Sequence, residues 1–144
     1  MIEFRRMQKK DVAQVAQMEK EYFSEPWSEQ AFLEVLDKKE YLYMVAAQGE
    51  EILAYCGMYR VLDEGNITQV AVRSDMRRRG IARDLLQDFM QNGKLNGADA
   101  YTLEVRVSNQ SAICLYEACG FVKESVRKNF YAAPTEDAFI MWKR

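Results

Sequence analysis

LEVRVSNQSAICLYEACGF, residues 103–121, sets a carboxylate, an asparagine and a tyrosine around one strand-to-helix turn. Leu103, Val105 and Val107 alternate with Glu104 and Arg106, the period of two that a strand imposes. Ser108-Asn109 then offers side-chain oxygens to the free N–H groups of a new helix, and Gly120 closes that helix. Upstream, Ile67 to Val72 reads as a second strand, followed by Arg77-Arg78-Arg79-Gly80-Ile81-Ala82. From there Ile81, Leu85, Leu86, Phe89 and Met90 recur at helical spacing as one apolar stripe. Two strand–turn–helix units therefore stand side by side.

The flanking segments supply more of both element types. Ile2 to Arg6 alternates as a short strand, and Asp11 is placed to cap a helix bearing Val12, Val15, Met18 and Tyr22. Ser28 caps a second helix, with Trp27 before it and Phe32 four positions in, the spacing of a hydrophobic staple. Tyr41 to Ala47 and Ile52 to Val61 form a hairpin through Gln48-Gly49-Glu50, and Asp63 to Asn66 reads as a turn. Phe121 to Val126 and Ala138 to Trp142 are the last strands. Some strands are linked by hairpins and others by helices, so the expected class is α/β (α+β): a mixed central β-sheet with helices on both faces.

Composition narrows the chemistry. A length of 144 residues with 49% apolar content suits one domain, 1–144, with its own core. No apolar run could span a bilayer and no basic-then-apolar leader is present, which leads to the expectation of a cytoplasmic protein with no membrane partner. The absence of histidine removes Ser-His-Asp and Cys-His nucleophilic sites, HExxH zinc sites and a histidine base. Three cysteines, Cys56, Cys114 and Cys119, lack metal-ligand spacing, so no metal is expected. A net charge of −2 argues against a hold on nucleic-acid phosphate and suits a basic peptide partner.

Taken alone, the candidate residues leave alternatives open. Gly80 and the arginines before it suit a backbone cradle for a pyrophosphate at a helix N-terminus, or a solvated basic turn. Glu104 interrupts a strand that should be nearly all apolar, as a functional carboxylate, as the ion-pair partner of Arg106, or as a carboxylate solvated on a splayed edge. Tyr116 by itself reads as a core tyrosine with a satisfied hydroxyl. Asn109 by itself reads as a helix N-cap.

Together the two units resemble the GNAT superfamily of acetyl-CoA-dependent N-acetyltransferases. The first matches its pyrophosphate loop, R/Q-x-x-G-x-G/A, and the second its catalytic strand and helix. LEVRVSN followed by A-I-x-L-Y-E-x-x-G-F is similar to the RimI-type branch, which acetylates the N-terminal alanine of a ribosomal protein. Glu25-Pro-Trp-Ser28, Val61-Leu-Asp-Glu64 and Arg127-Lys-Asn-Phe-Tyr131 with Glu136-Asp-Ala138 fall in the expected order. The resemblance implies an acetyl-CoA site at Val70, Ala71, Val72, Arg78, Arg79, Gly80, Ile81, Ala82, Arg83 and Asn109. It implies Glu104 as general base, Tyr116 as general acid, and a backbone N–H near Val70 to Val72 that stabilises the oxyanion. It also implies a slot at Glu25, Trp27 and Tyr131 for the N-terminus of a ribosomal protein. Ala82 stands where the family most often has Gly, and Phe130 and Ala132 stand where it often has Tyr and Pro. An acetyltransferase of lysine or small amines, and a CoA-binding domain without turnover, are the competing implications.

Overall fold

The computed structural model describes residues 1–144. In chain order its elements are β1 (Glu3–Arg6), α1 (Val12–Tyr22), α2 (Glu29–Val35), β2 (Tyr41–Gln48), β3 (Glu51–Val61), β4 (Glu64–Val72), α3 (Ile81–Leu95), β5 (Ala100–Arg106), α4 (Gln110–Ala118), β6 (Val122–Ala132) and β7 (Thr135–Lys143). The seven strands form one sheet, ordered β1-β2-β3-β4-β5-β7-β6. Only β4 and β5 run parallel, because α3 carries the chain back between them; hairpins cannot do that. Leu85, Leu86 and Phe89 of α3 join Ile113 and Tyr116 of α4 in a core on one face. Val12 and Val15 of α1 and Phe32 of α2 fill the other face, against Tyr43 and Tyr55. The sheet is thus mixed and covered on both sides, as its hydrophobic patterning requires.

Three local expectations needed correction. Asp63 to Asn66 is not a turn: β4 already starts at Glu64, because Gly65 and Asn66 pair with β3 on one side and β5 on the other. The last hairpin is longer than its apolar alternation suggested, running from Val122 to Lys143 around Ala133-Pro134. Asp11 does not cap α1 through its side chain. It is 3% exposed and takes two hydrogen bonds from the Arg5 guanidinium, at 2.7 and 3.0 Å, and one from the Gln8 N–H at 2.8 Å. Burial alone would raise its pKa, but the Arg5 and Gln8 donors hold it below the usual carboxylate range. A bidentate guanidinium is a stronger partner than a helix N–H.

Two irregularities in β4 shape the centre of the sheet. Its pairing with β5 stops after Asn66 and Thr102, so the strands diverge toward their carboxyl ends. One residue later, Gly57 pairs with Gln69 and Met58 with Ile67, leaving Thr68 as the extra residue of a bulge. A bulge turns successive side chains and peptide groups onto new faces and often lies beside an active site. This one is held from below. The Tyr43 ring crosses β3 over Gly57, and its hydroxyl donates to Gln69 Oε1 at 2.8 Å and lies 3.2 Å from Thr68 Oγ1. Only glycine at 57 leaves room for that ring.

Candidate active site

The wedge between β4 and β5 opens onto a cavity of about 760 Å³ on the α3–α4 face. Val70, Ala71, Val72, Arg78, Gly80, Ile81, Ala82, Arg83, Asn109 and Tyr116 all line it. Of the expected cofactor residues, only Arg79 lies off the wall, exposed to solvent. Gly80 caps α3 with φ +76° and no side-chain acceptor, so the first N–H groups of that helix remain free. Arg78 also has a positive φ, 64°, which no glycine eases. Strain of this kind costs about 1–3 kcal/mol and gathers at ligand clamps. A Cβ on Gly80 would meet only the Arg83 guanidinium, at 3.5 Å, so the space beside it is open to an anion. Free helix N–H groups, a left-handed cradle and arginines on the wall fit a pyrophosphate. Asn109 holds both of its readings: its Oδ1 accepts the Ala112 N–H at 3.2 Å while the residue lines the cavity.

Glu104 stands two residues beyond the last β4–β5 pair, where the edge of β5 is no longer covered. It has no hydrogen-bond or ion-pair partner, and the pairing with Arg106 is absent. Arg106 instead bonds Glu136 at 3.2 Å and lies over the Tyr131 ring at 4.2 Å. Glu104 is exposed to solvent at the splayed edge, where the surrounding protein still removes enough water to raise its pKa, opposed by Arg127. By strand alternation Glu104 shares a face with Arg106, opposite Leu103 and Val105, which pack with Tyr116. Glu104 and Tyr116 therefore approach the wedge from opposite sides of the sheet. Tyr116 is 8% exposed, and burial pushes its pKa up. The hydroxyls of Tyr22, Tyr43, Tyr55 and Tyr101 each make a hydrogen bond, whereas that of Tyr116 makes none and the residue lines the cavity. A core tyrosine would satisfy its hydroxyl.

A second cavity, about 500 Å³, is lined by Glu25, Arg106, Phe130, Tyr131 and Pro134. Tyr22 and Phe23 line both cavities, a role that the sequence did not signal because they sit at the end of an ordinary amphipathic helix. Trp27 does not line this cavity. Its ring packs on Phe32 at 5.3 Å and Tyr43 at 5.8 Å, as the staple reading expects. Glu104 lies on neither wall, but Arg106, on its strand face, does. Tyr131 feels the Glu104 charge, and burial with that charge raises its pKa to about 12.

The chain is 35% identical to a ribosomal protein bS18-alanine N-acetyltransferase of Salmonella typhimurium, over 91% of this chain and 89% of that protein. It is 36% identical to the Escherichia coli protein of the same name, over 81% and 79%. The crystal structure of the ribosomal-protein-S18-alanine N-acetyltransferase from Escherichia coli superposes with a TM-score of 0.87 at 32% identity, covering 99% of this chain and 93% of that one. The profile of the acetyltransferase (GNAT) family spans residues 12–121, from α1 through the phosphate loop to the end of the α4 turn. With fold, loop and wedge in agreement, the chain belongs to the GNAT family of acetyltransferases.

Proposed function

We propose that this protein transfers an acetyl group from acetyl-CoA directly to the N-terminal α-amino group of an alanine on a ribosomal protein, in the cytoplasm. The observation that carries the chemistry is the pair across the wedge: an unpartnered carboxylate on one side and an unbonded tyrosine hydroxyl on the other. Acetyl-CoA, held at Gly80 to Arg83 and along Val70 to Val72, would supply the acetyl group as an activated thioester. Glu104 takes a proton from the incoming ammonium, directly or through water. A peptide N–H of the β4 segment beyond the Thr68 bulge donates to the carbonyl oxygen as negative charge develops there. Tyr116, kept neutral by burial, holds the proton that the departing sulfur needs. No protein nucleophile takes part, and Cys114 and Cys119 are not required.

An α-amine suits this base. Its pKa of about 7.7–8.0 leaves roughly a tenth of it neutral at pH about 7, whereas a lysine at about 10.4 is less than a thousandth neutral. The relatives named for bS18-alanine acetylation support the N-terminal acceptor, and Glu25 and Tyr131, which line the second cavity, would receive it. The test is acetylation of peptides beginning with Ala, Ser or Met, and of an acetyl-capped Ala peptide with an internal lysine, with the new acetyl located by mass spectrometry. Modification of the free Ala terminus with the lysine untouched is expected. Faster turnover of lysine or of a polyamine would reassign the acceptor.

A further inference from the structure

Glu19 of α1 is 2% exposed, and the chemistry above does not use it. A buried carboxylate is costly unless both oxygens find donors. Here they do, and no cation is among them: Tyr55 of β3 donates its hydroxyl to Oε1 at 2.6 Å, and the backbone N–H of Trp27 donates to Oε2 at 3.1 Å. The second bond reaches across the α1–α2 loop. From Ser24 to Trp27 it is the single hydrogen bond made by the backbone, since helical bonding ends with Phe23 N–H to Glu19 and resumes with Phe32 N–H to Ser28. That loop carries Ser24 and Glu25, which line the second cavity and not the first. An apolar side chain at 19 would fill the same core without the cost of burying a carboxylate. What it could not do is fasten the loop to the sheet.

We propose that Glu19 is a positioning residue for the acceptor slot: its carboxylate ties the Glu25 loop to β3 and so sets affinity for the acceptor peptide, not for acetyl-CoA. The inference rests on the functional reading above in using a peptide acceptor. Glu19→Leu removes both hydrogen bonds and keeps an apolar filling, and should raise the KM for an Ala-first peptide about tenfold, the equivalent of one hydrogen bond. The KM for acetyl-CoA should stay within about twofold. Glu19→Gln can still accept from the Trp27 N–H while its amide donates to the Tyr55 oxygen, so it should restore the peptide KM. A folded Glu19→Leu enzyme with unchanged peptide KM, or with both KM values raised together, overturns the proposal. Amide hydrogen exchange on the unaltered protein checks the tether even if Glu19→Leu does not fold. The Trp27 amide should exchange more slowly than those of Ser24 and Glu25, and equal rates would overturn the proposal. A wild-type enzyme that ignores Ala-first peptides would refute the functional reading instead and leave the exchange result standing.

Discussion

At Glu104, exposed at the edge of β5, local desolvation raises the carboxyl pKa and Arg127 only partly offsets it, so the ionised carboxylate that the proposed chemistry needs costs the fold a little. A carboxyl whose folded-state pKa exceeds its unfolded value contributes its stability below the unfolded pKa and loses it as pH rises through the folded one. Glu104→Gln should therefore raise the melting temperature near neutral pH, with the gain shrinking as pH falls toward about 4. The same substitution should depress acetylation strongly near pH 7 and less so as pH rises past about 8, where solvent supplies the neutral amine. Thermal melts and a kcat/KM–pH profile on one preparation check both halves. A lower melting temperature, or a deficit that does not change with pH, would contradict them. Tyr116→Phe keeps the ring that packs on Phe121 at 5.9 Å and deletes a hydroxyl with no partner in the fold. Stability should be nearly unchanged and kcat should fall about a hundredfold; full activity would remove Tyr116 from the chemistry.

The elements were legible where their causes are local, and hidden where those causes lie across the sheet. Ser28 and Asn109 cap the helices expected of them because a cap depends on its own next three residues. The α3 stripe and the alternation around Leu103 were equally direct, since each repeats the period of its own backbone. Nothing near Thr68 announces a bulge. It arises from register with β3 and from a tyrosine arriving from β2, a strand away. Asp11 was misassigned as a cap because its Arg5 partner becomes a neighbour only when β1 docks. Glu19 has nothing in its local pattern to show that the loop folds back over it. Gly57→Ala tests the bulge support: the Tyr43 ring must move, costing about 1–3 kcal/mol. The aim of the β4 N–H groups should suffer with it, lowering kcat. A denaturant melt with kcat measured alongside would contradict this if both were unchanged. At the phosphate loop, Gly80→Asp forces a side chain into φ +76° and brings negative charge to an anion site. Calorimetry should find acetyl-CoA binding lost while the fold remains; retained affinity would take the loop out of the site.

Across the whole molecule, two cavities meet at Tyr22 and Phe23, one lined by the Gly80 loop and α4 and the other by Glu25 and the β6–β7 hairpin, so the proposed cofactor and acceptor sites adjoin. Adjoining sites favour direct transfer, because the acceptor can approach the acetyl group past their shared wall. An overall charge of −2 with Glu25 at the slot suits a basic chain, so added salt should raise the peptide KM more than it lowers kcat. Initial-rate measurements across a salt series check this, and an indifferent KM would contradict it. Family membership was readable because the phosphate loop and the Glu104–Tyr116 unit are each continuous in sequence. Which aromatic residues line the second cavity was not, since Trp27 and Tyr131 are both aromatic residues in polar surroundings and only the fold puts Tyr131 on its wall and the Trp27 ring against Phe32. The most direct test of the central claim is the intact mass of ribosomal proteins from cells with and without this gene. We expect one alanine-first ribosomal protein to lose a single acetyl group at its N-terminus when the gene is absent and to regain it on incubation with the purified enzyme and acetyl-CoA. An unchanged set of masses, together with no transfer in vitro, would contradict the account.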